Sequence, residues 1–324
     1  MATYKGIQGY SVQTLASDPS PTASVEGQLW YNSTSGTYKI AIAGAGAWAS
    51  GNVVNTGVKD PGCLGIQTAA MKFGGKTTVP TANSETYDGT SWSEGANIGS
   101  ARYGNAGFGT TTAGVNACGA PPTGGLTTAD TWNGSSWTST NSTNTGRYKV
   151  HGIGVQTAGI IVGGEVGELT VCETFDGTSW AETGDLNTGR GNTGLAGTST
   201  ATLASGGGPG NGLGVVESFN GTSWTETTDL NSDRANPNGG GAVFTAALVF
   251  GGTTPPGQTV TGITEKWNGS AWTEVGDLAS GRQQLGAGQT GPSSASLAFC
   301  GPPAPTATEE WNDPVYAIKT VTVS

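Results

Sequence analysis

A turn followed by tryptophan recurs along this chain at nearly constant spacing. The copies are Tyr87-Asp-Gly-Thr-Ser-Trp92, Trp132-Asn-Gly-Ser-Ser-Trp137, Phe175-Asp-Gly-Thr-Ser-Trp180, Phe219-Asn-Gly-Thr-Ser-Trp224 and Trp267-Asn-Gly-Ser-Ala-Trp272, with a degraded sixth, Trp311-Asn-Asp-Pro-Val-Tyr316. Their final residues lie 45, 43, 44, 48 and 44 positions apart. Three further markers keep phase. An acid stands seven residues before each final aromatic: Glu85, Asp130, Glu173, Glu217, Glu265 and Glu309. Arginine stands ten residues after it in five copies: Arg102, Arg147, Arg190, Arg234 and Arg282. A small-residue doublet precedes each hairpin, from Gly74-Gly75 to Cys300-Gly301, led in most copies by an apolar run such as Ile160-Ile-Val162. With 57 glycines in 324 residues, composition alone would allow disorder, but ten regularly spaced tryptophans argue for a packed core.

Each unit divides into four strands. The first starts after the Arg, the second ends at the doublet, the third carries the acid and an aromatic, and the fourth carries the Trp. Asp-Gly and Asn-Gly predict type I′ hairpins whose flanking aromatics meet across the strands. Four strands in about 44 residues is the size of one propeller blade, and one blade cannot bury its two faces alone. The fold class expected is therefore all-β, a β-propeller. The recurrent Arg and acid are expected to pair, partly buried, at the blade junctions. The doublet, the aromatic with Asp/Asn-Gly, the Trp and the following Arg resemble the kelch motif and are similar to the propeller of galactose-oxidase-like proteins. The resemblance spans about residues 58–318 and implies four-stranded kelch-like blades.

Residues 58–324 hold six units. Trp48 lies 44 residues before Trp92, so residues 28–57 read as a partial blade or hairpin. Seven blades are favoured, the seventh joining strands from about 28–50 to the alternating run Ala317–Ser324; six blades plus an N-terminal hairpin is the alternative. Residues 1–27 fall outside the repeat, with Asp18-Pro-Ser-Pro21 as a breaker, and read as an extended docking arm. The stretch Gly27-Gln-Leu-Trp-Tyr-Asn-Ser-Thr-Ser-Gly-Thr-Tyr38-Lys39 resembles a short hairpin of tailed-bacteriophage structural proteins. That resemblance implies a virion protein.

The remaining features narrow the chemistry. The formal net charge is −10 and no basic run occurs, which speaks against nucleic-acid or anionic-membrane partners. No stretch approaches the apolar length of a membrane span, and the N-terminus has no apolar signal region, so the expected location is the virion, after synthesis in the host cytoplasm. Cys63, Cys118, Cys172 and Cys300 form no CxxC pair and read as small buried hydrophobes. His151 is the only histidine, so a triad or a His metal site has at most one such member, and the two His ligands of galactose-oxidase copper chemistry are not present. The resemblance thus carries the fold and not the activity. Gly206–Gly212 lacks the Lys-Ser/Thr of a phosphate loop, and acids spread one per blade do not converge on one bond. The Asn-x-Ser/Thr sites at Asn32, Asn133, Asn141, Asn220 and Asn268 read as turns. No catalytic residue, cofactor or metal is expected. Pro121-Pro122 and Pro255-Pro256 interrupt the repeat and are the candidate partner loops. The expected function is non-enzymatic: a decoration or tail-fibre-type protein that contacts other virion proteins through residues 1–27, with homo-oligomers in scope. A glycan-binding adhesin that recognises the host surface is the first alternative, and a cellular kelch scaffold is the second.

Overall fold

The computed structural model describes residues 12–43, 46–121, 124–167, 169–208, 212–314 and 316–322. It is all-β, with one short 3-10 turn at Ala23–Val25 among the described residues. The chain divides into two compact units, residues 47–312 and residues 1–46 with 313–324.

The larger unit contains six four-stranded antiparallel sheets, here sheets 1 to 6, consistent with propeller-like blades. Sheet 1 runs Gly62–Ile66, Ala69–Phe73, Ser84–Tyr87, Trp92–Gly95, in that spatial order. The first strands of sheets 2 to 6 are Ala106–Thr110, His151–Val155, Gly194–Thr198, Asn238–Val243 and Gly286–Ala287. Each first strand packs on that of the next sheet, and the last returns to the first. An added two-stranded ribbon, Thr253–Thr254 with Thr259–Val260, carries Pro255 and Pro256.

The hairpins differ from the expected two-residue type. Tyr87 pairs with Trp92 and encloses residues 88–91. Only the glycine of the Asp-Gly pair has positive φ, 89° at Gly89. The Asp88 carboxylate accepts the amides of Thr90 (2.8 Å) and Ser91 (2.7 Å), so a side-chain cap closes a four-residue loop. The aromatics flanking the loop do meet, at 5.0 Å between ring centroids for Tyr87 and Trp92.

The outer tryptophans join one sheet to the next. Trp137 of sheet 2 packs on Phe73 of sheet 1 (4.8 Å), and Trp180 of sheet 3 on Phe108 of sheet 2 (6.1 Å). Trp92 of sheet 1 packs on Phe299 of sheet 6 (4.9 Å). Such contacts contribute about 0.5–1.5 kcal/mol each beyond burial. Their apolar surroundings form six buried clusters, and the four cysteines are buried and unpaired.

The half-unit at Trp48 has a different place from the one expected. Ala47–Gly51 is the outer strand of sheet 6, pairing with Thr308–Asn312 so that Trp48 faces Trp311. The degraded copy explains this. Pro314 stands where Thr90 donates its N–H to the Asp88 cap, and Asp313 stands where Gly89 has positive φ, so the sixth copy lacks the loop that returns an outer strand, and an N-terminal strand takes that place. The strands of residues 28–43 and the C-terminal run do not join Trp48 in a seventh sheet of this unit.

They belong instead to the smaller unit, whose sheet runs Gln13–Leu15, Leu29–Asn32, Thr37–Ala43, Tyr316–Thr320. Gln13–Leu15 lies parallel to Leu29–Asn32. Asp18 accepts hydrogen bonds from Trp30 Nε1 (3.0 Å) and Asn32 Nδ2 (2.6 Å). Within the expected arm, Gln13–Leu15 and Asp18 are therefore held against the hairpin, whose polar edge supplies donors for Asp18. Residues 1–11 of the expected arm, like Pro122, lie outside the described residues.

Candidate functional site

Two rings of polar residues run around the larger unit. The first consists of the phased acids and arginines. Arg147 lies 3.1 Å from Glu173, Arg190 3.2 Å from Glu217, Arg234 2.5 Å from Glu265 and Arg282 2.8 Å from Glu309. Arg102 pairs likewise with Asp130. These side chains are almost wholly buried. Each Arg precedes the first strand of a sheet and meets the acid on its third. Its guanidinium also donates to carbonyls, as Arg282 does to Cys300 (3.1 Å) and Ala307 (2.8 Å). Its own carbonyl accepts from the glycine doublet of the preceding sheet: Gly75 N–H to Arg102 (2.8 Å), Gly164 to Arg190 and Gly207 to Arg234 (both 2.9 Å). A Cβ at Gly163 would come within 2.1 Å of the Arg190 carbonyl, which accounts for a small residue there. The acids fasten the loop arriving from the preceding sheet. Glu173 accepts the amide of Asn144 (2.7 Å), and Glu309 that of Ala279 (2.7 Å). The arginine and acid therefore lock one sheet to the next.

The sheet 6 to sheet 1 junction uses different residues for the same geometry. Val58 holds the Arg position, and its carbonyl accepts from Gly301 (2.9 Å). Glu85 accepts the amides of Asn55 (2.7 Å) and Thr56 (2.9 Å). The missing cation comes from Lys72, directly across the strands from Glu85 and 2.7 Å from it.

The second ring was not singled out in the sequence. Two residues after each Arg position stand Asp60, Gly104, Lys149, Asn192, Asn236 and Gln284, all left-handed, with φ between 48° and 62°. Backbone bonds pass round the axis between them. Asp60 N–H donates to Gln284 (2.9 Å), Gly104 to Asp60 (2.8 Å), Asn192 to Lys149 (2.8 Å) and Gln284 to Asn236 (3.2 Å). Side chains converge as well. Asp60 accepts from Gln284 Nε2 (2.9 Å) and Asn192 Nδ2 (3.4 Å), and Asn192 donates to Asn236 Oδ1 (2.7 Å). Lys149 pairs with Glu165 (2.7 Å). Asp60 is 6% exposed and is the one buried acid without an ion pair among the described residues. Burial pushes its carboxyl up to about 6, against the pull of Lys149 and Lys59.

Asp60, Gly104, Asn192 and Gln284 line a small indentation together with Asn105 and His151. Burial pushes His151 down to about 4, and its Nδ1 meets the Thr193 carbonyl at 2.5 Å. With its side-chain amide oriented to suit its neighbours, Gln289 donates to the carbonyls of Gly152 (3.0 Å) and Gly107 (3.1 Å), bridging sheets 6, 3 and 2. Tyr103 and Tyr148 directly precede Gly104 and Lys149 of this ring, at the end of the unit here called the mouth; their ring centroids are 5.9 Å apart, and Lys76 Nζ lies 4.9 Å from the Tyr103 centroid.

Pro121 and the ribbon of Pro255-Pro256 lie next to bridges at this same end. Pro121 follows the bridge of Tyr103 to Ala120, and Pro255 follows that of Ala235 to Thr253. Among the described residues no three His, Cys, Asp or Glu side chains are grouped to hold a metal ion. No model of a known protein family matches this chain, and no curated protein is similar enough to match it.

Proposed function

We propose that this chain is a non-enzymatic binding and display protein of a phage particle. Its larger unit is a six-bladed propeller of kelch-like repeats, and the axial mouth is its binding surface. The blade count is supported by the six junctions, which repeat one hydrogen-bonding scheme and include the one between sheets 6 and 1. One observation carries the functional reading. The repeat keeps one buried acid and one buried cation at every junction but keeps no residue type at the mouth, where equivalent positions are Asp, Gly, Lys, Asn, Asn and Gln. Residues needed by architecture recur, whereas residues that differ at one structural position are free to meet a partner.

The smaller unit supplies attachment to other virion proteins. Leu29, Tyr38 and Ile42 share one face of its sheet and are 40%, 47% and 39% exposed. Three such side chains on one small sheet make an apolar face suited to burial against another protein. Replacing all three by Ser should abolish incorporation of the chain into particles. Undiminished incorporation of a normally folded variant would remove the attachment role.

A further inference from the structure

The mouth gathers the accessible cations of an otherwise acidic ring. Between residues 47 and 312 stand five arginines and five lysines. The arginines and Lys72 are taken up in buried ion pairs. Of the four remaining lysines, Lys59, Lys76 and Lys149 stand at the mouth; Lys149 is paired with Glu165, so Lys59 and Lys76 are the two there with no ion pair among the described residues. Lys59 and Lys76 bridge each other through their backbones, and Lys59 and Lys149 both act on the Asp60 carboxyl. Lys76 sits over Tyr103, which is in ring contact with Tyr148. The far side differs. Gly191 and Ala235 occupy the positions equivalent to the two tyrosines, and beside them lie the amides of Asn192, Asn236 and Gln283.

We propose that the axial mouth binds an acidic saccharide, a sugar that carries a carboxylate or a phosphate. This rests on the reading of the mouth as a binding surface and names its ligand. A tyrosine face accepts the C–H face of a sugar ring. Paired amides donate to and accept from hydroxyl groups. Lysines placed beside the aromatic wall draw one anionic group to that side. Three lysines in a chain of net charge −10 are too few for a nucleic acid, which demands many phosphate contacts. One charged substituent on a neutral ring matches the mixture of groups present.

The test is calorimetry on the full chain with four probes: trigalacturonate, its methyl ester, mannose 6-phosphate and mannose. At least one charged probe should bind at least about tenfold more tightly than its uncharged counterpart. Lys76→Ala and Tyr103→Ala should each weaken that binding at least about fivefold, with unchanged melting temperature, and Lys266→Ala should leave it intact. The proposal is overturned if neither charged probe binds at about 10 mM, if the uncharged counterparts bind equally, or if Lys76→Ala and Tyr103→Ala have no effect. If the charged probes fail while Tyr103→Ala still abolishes attachment of particles to cells, the ligand class is wrong and the mouth remains the binding surface.

Discussion

The junction ring and the axial ring are built from the same six repeats, within two residues of each other in sequence, yet they follow opposite rules. At the junctions every sheet presents one buried acid and one buried cation, and where Val58 replaces the arginine, Lys72 supplies the charge from the neighbouring strand. At the axis only the backbone is held constant. All six residues are left-handed, and the side chains range from none at Gly104 to the long ones of Lys149 and Gln284. A junction arginine and acid are almost wholly buried against each other, and losing one strands the other, so the pair is kept even when its residues change. At the axis Asp60 is buried but is met by amides and its carboxyl is pushed up to about 6, while Lys149, Asn236 and Gln284 are partly exposed, so no one residue type is required there.

The largest effect should come from breaking a junction. Arg234→Ala strands the Glu265 carboxylate, and a loss of about 3–5 kcal/mol in urea unfolding is expected. Lys72→Met should do the same to Glu85 at somewhat smaller cost, about 3 kcal/mol, because Arg234 also donates to the Ile263 carbonyl (2.7 Å) whereas Lys72 serves Glu85 alone. Adding Val58→Arg should recover most of that loss. Absence of rescue would mean that the closing junction is not equivalent to the other five.

Asp60 tests the axial ring. Its folded carboxyl is pushed up to about 6 from 3.8, so the folded chain holds the proton more tightly than the unfolded one. The stabilisation from this group is fully present below the unfolded value, is lost as pH rises through about 6, and stays lost above it. Asp60→Asn should therefore stabilise the protein at pH 7 and above, on the order of 2 kcal/mol, and flatten the pH dependence in that window. The smallest effect on stability should come from Lys76→Ala, within about 0.5 kcal/mol, because it lies at the open mouth.

The junction ring could be read from sequence because its chemistry forces the same residue types to recur: five arginines, six acids and their tryptophans in phase. The axial ring was hidden because no residue type recurs there. A weaker signal was present, since position twelve after each Trp is always polar or glycine, and Gly104, Asn192 and Asn236 are types that tolerate positive φ. Trp48 was placed in phase with the other tryptophans, but its sheet was misjudged. Phase does not reveal that the sixth copy lacks an outer strand, which depends on Pro314 and on pairing across more than 250 residues. The hairpin loops followed a similar course: Asp-Gly marked their position, while the side-chain cap set their length.

The central claim is that binding resides where the repeat is broken. Hydrogen–deuterium exchange of the full chain with and without trigalacturonate tests it most directly. Protection is predicted at the peptides containing Lys59–Asp60, Tyr103–Gly104 and Tyr148–Lys149, with the smaller unit and the outer strands unchanged. Protection confined to the smaller unit or to the outer hairpin loops, or none at saturating probe, would contradict the account.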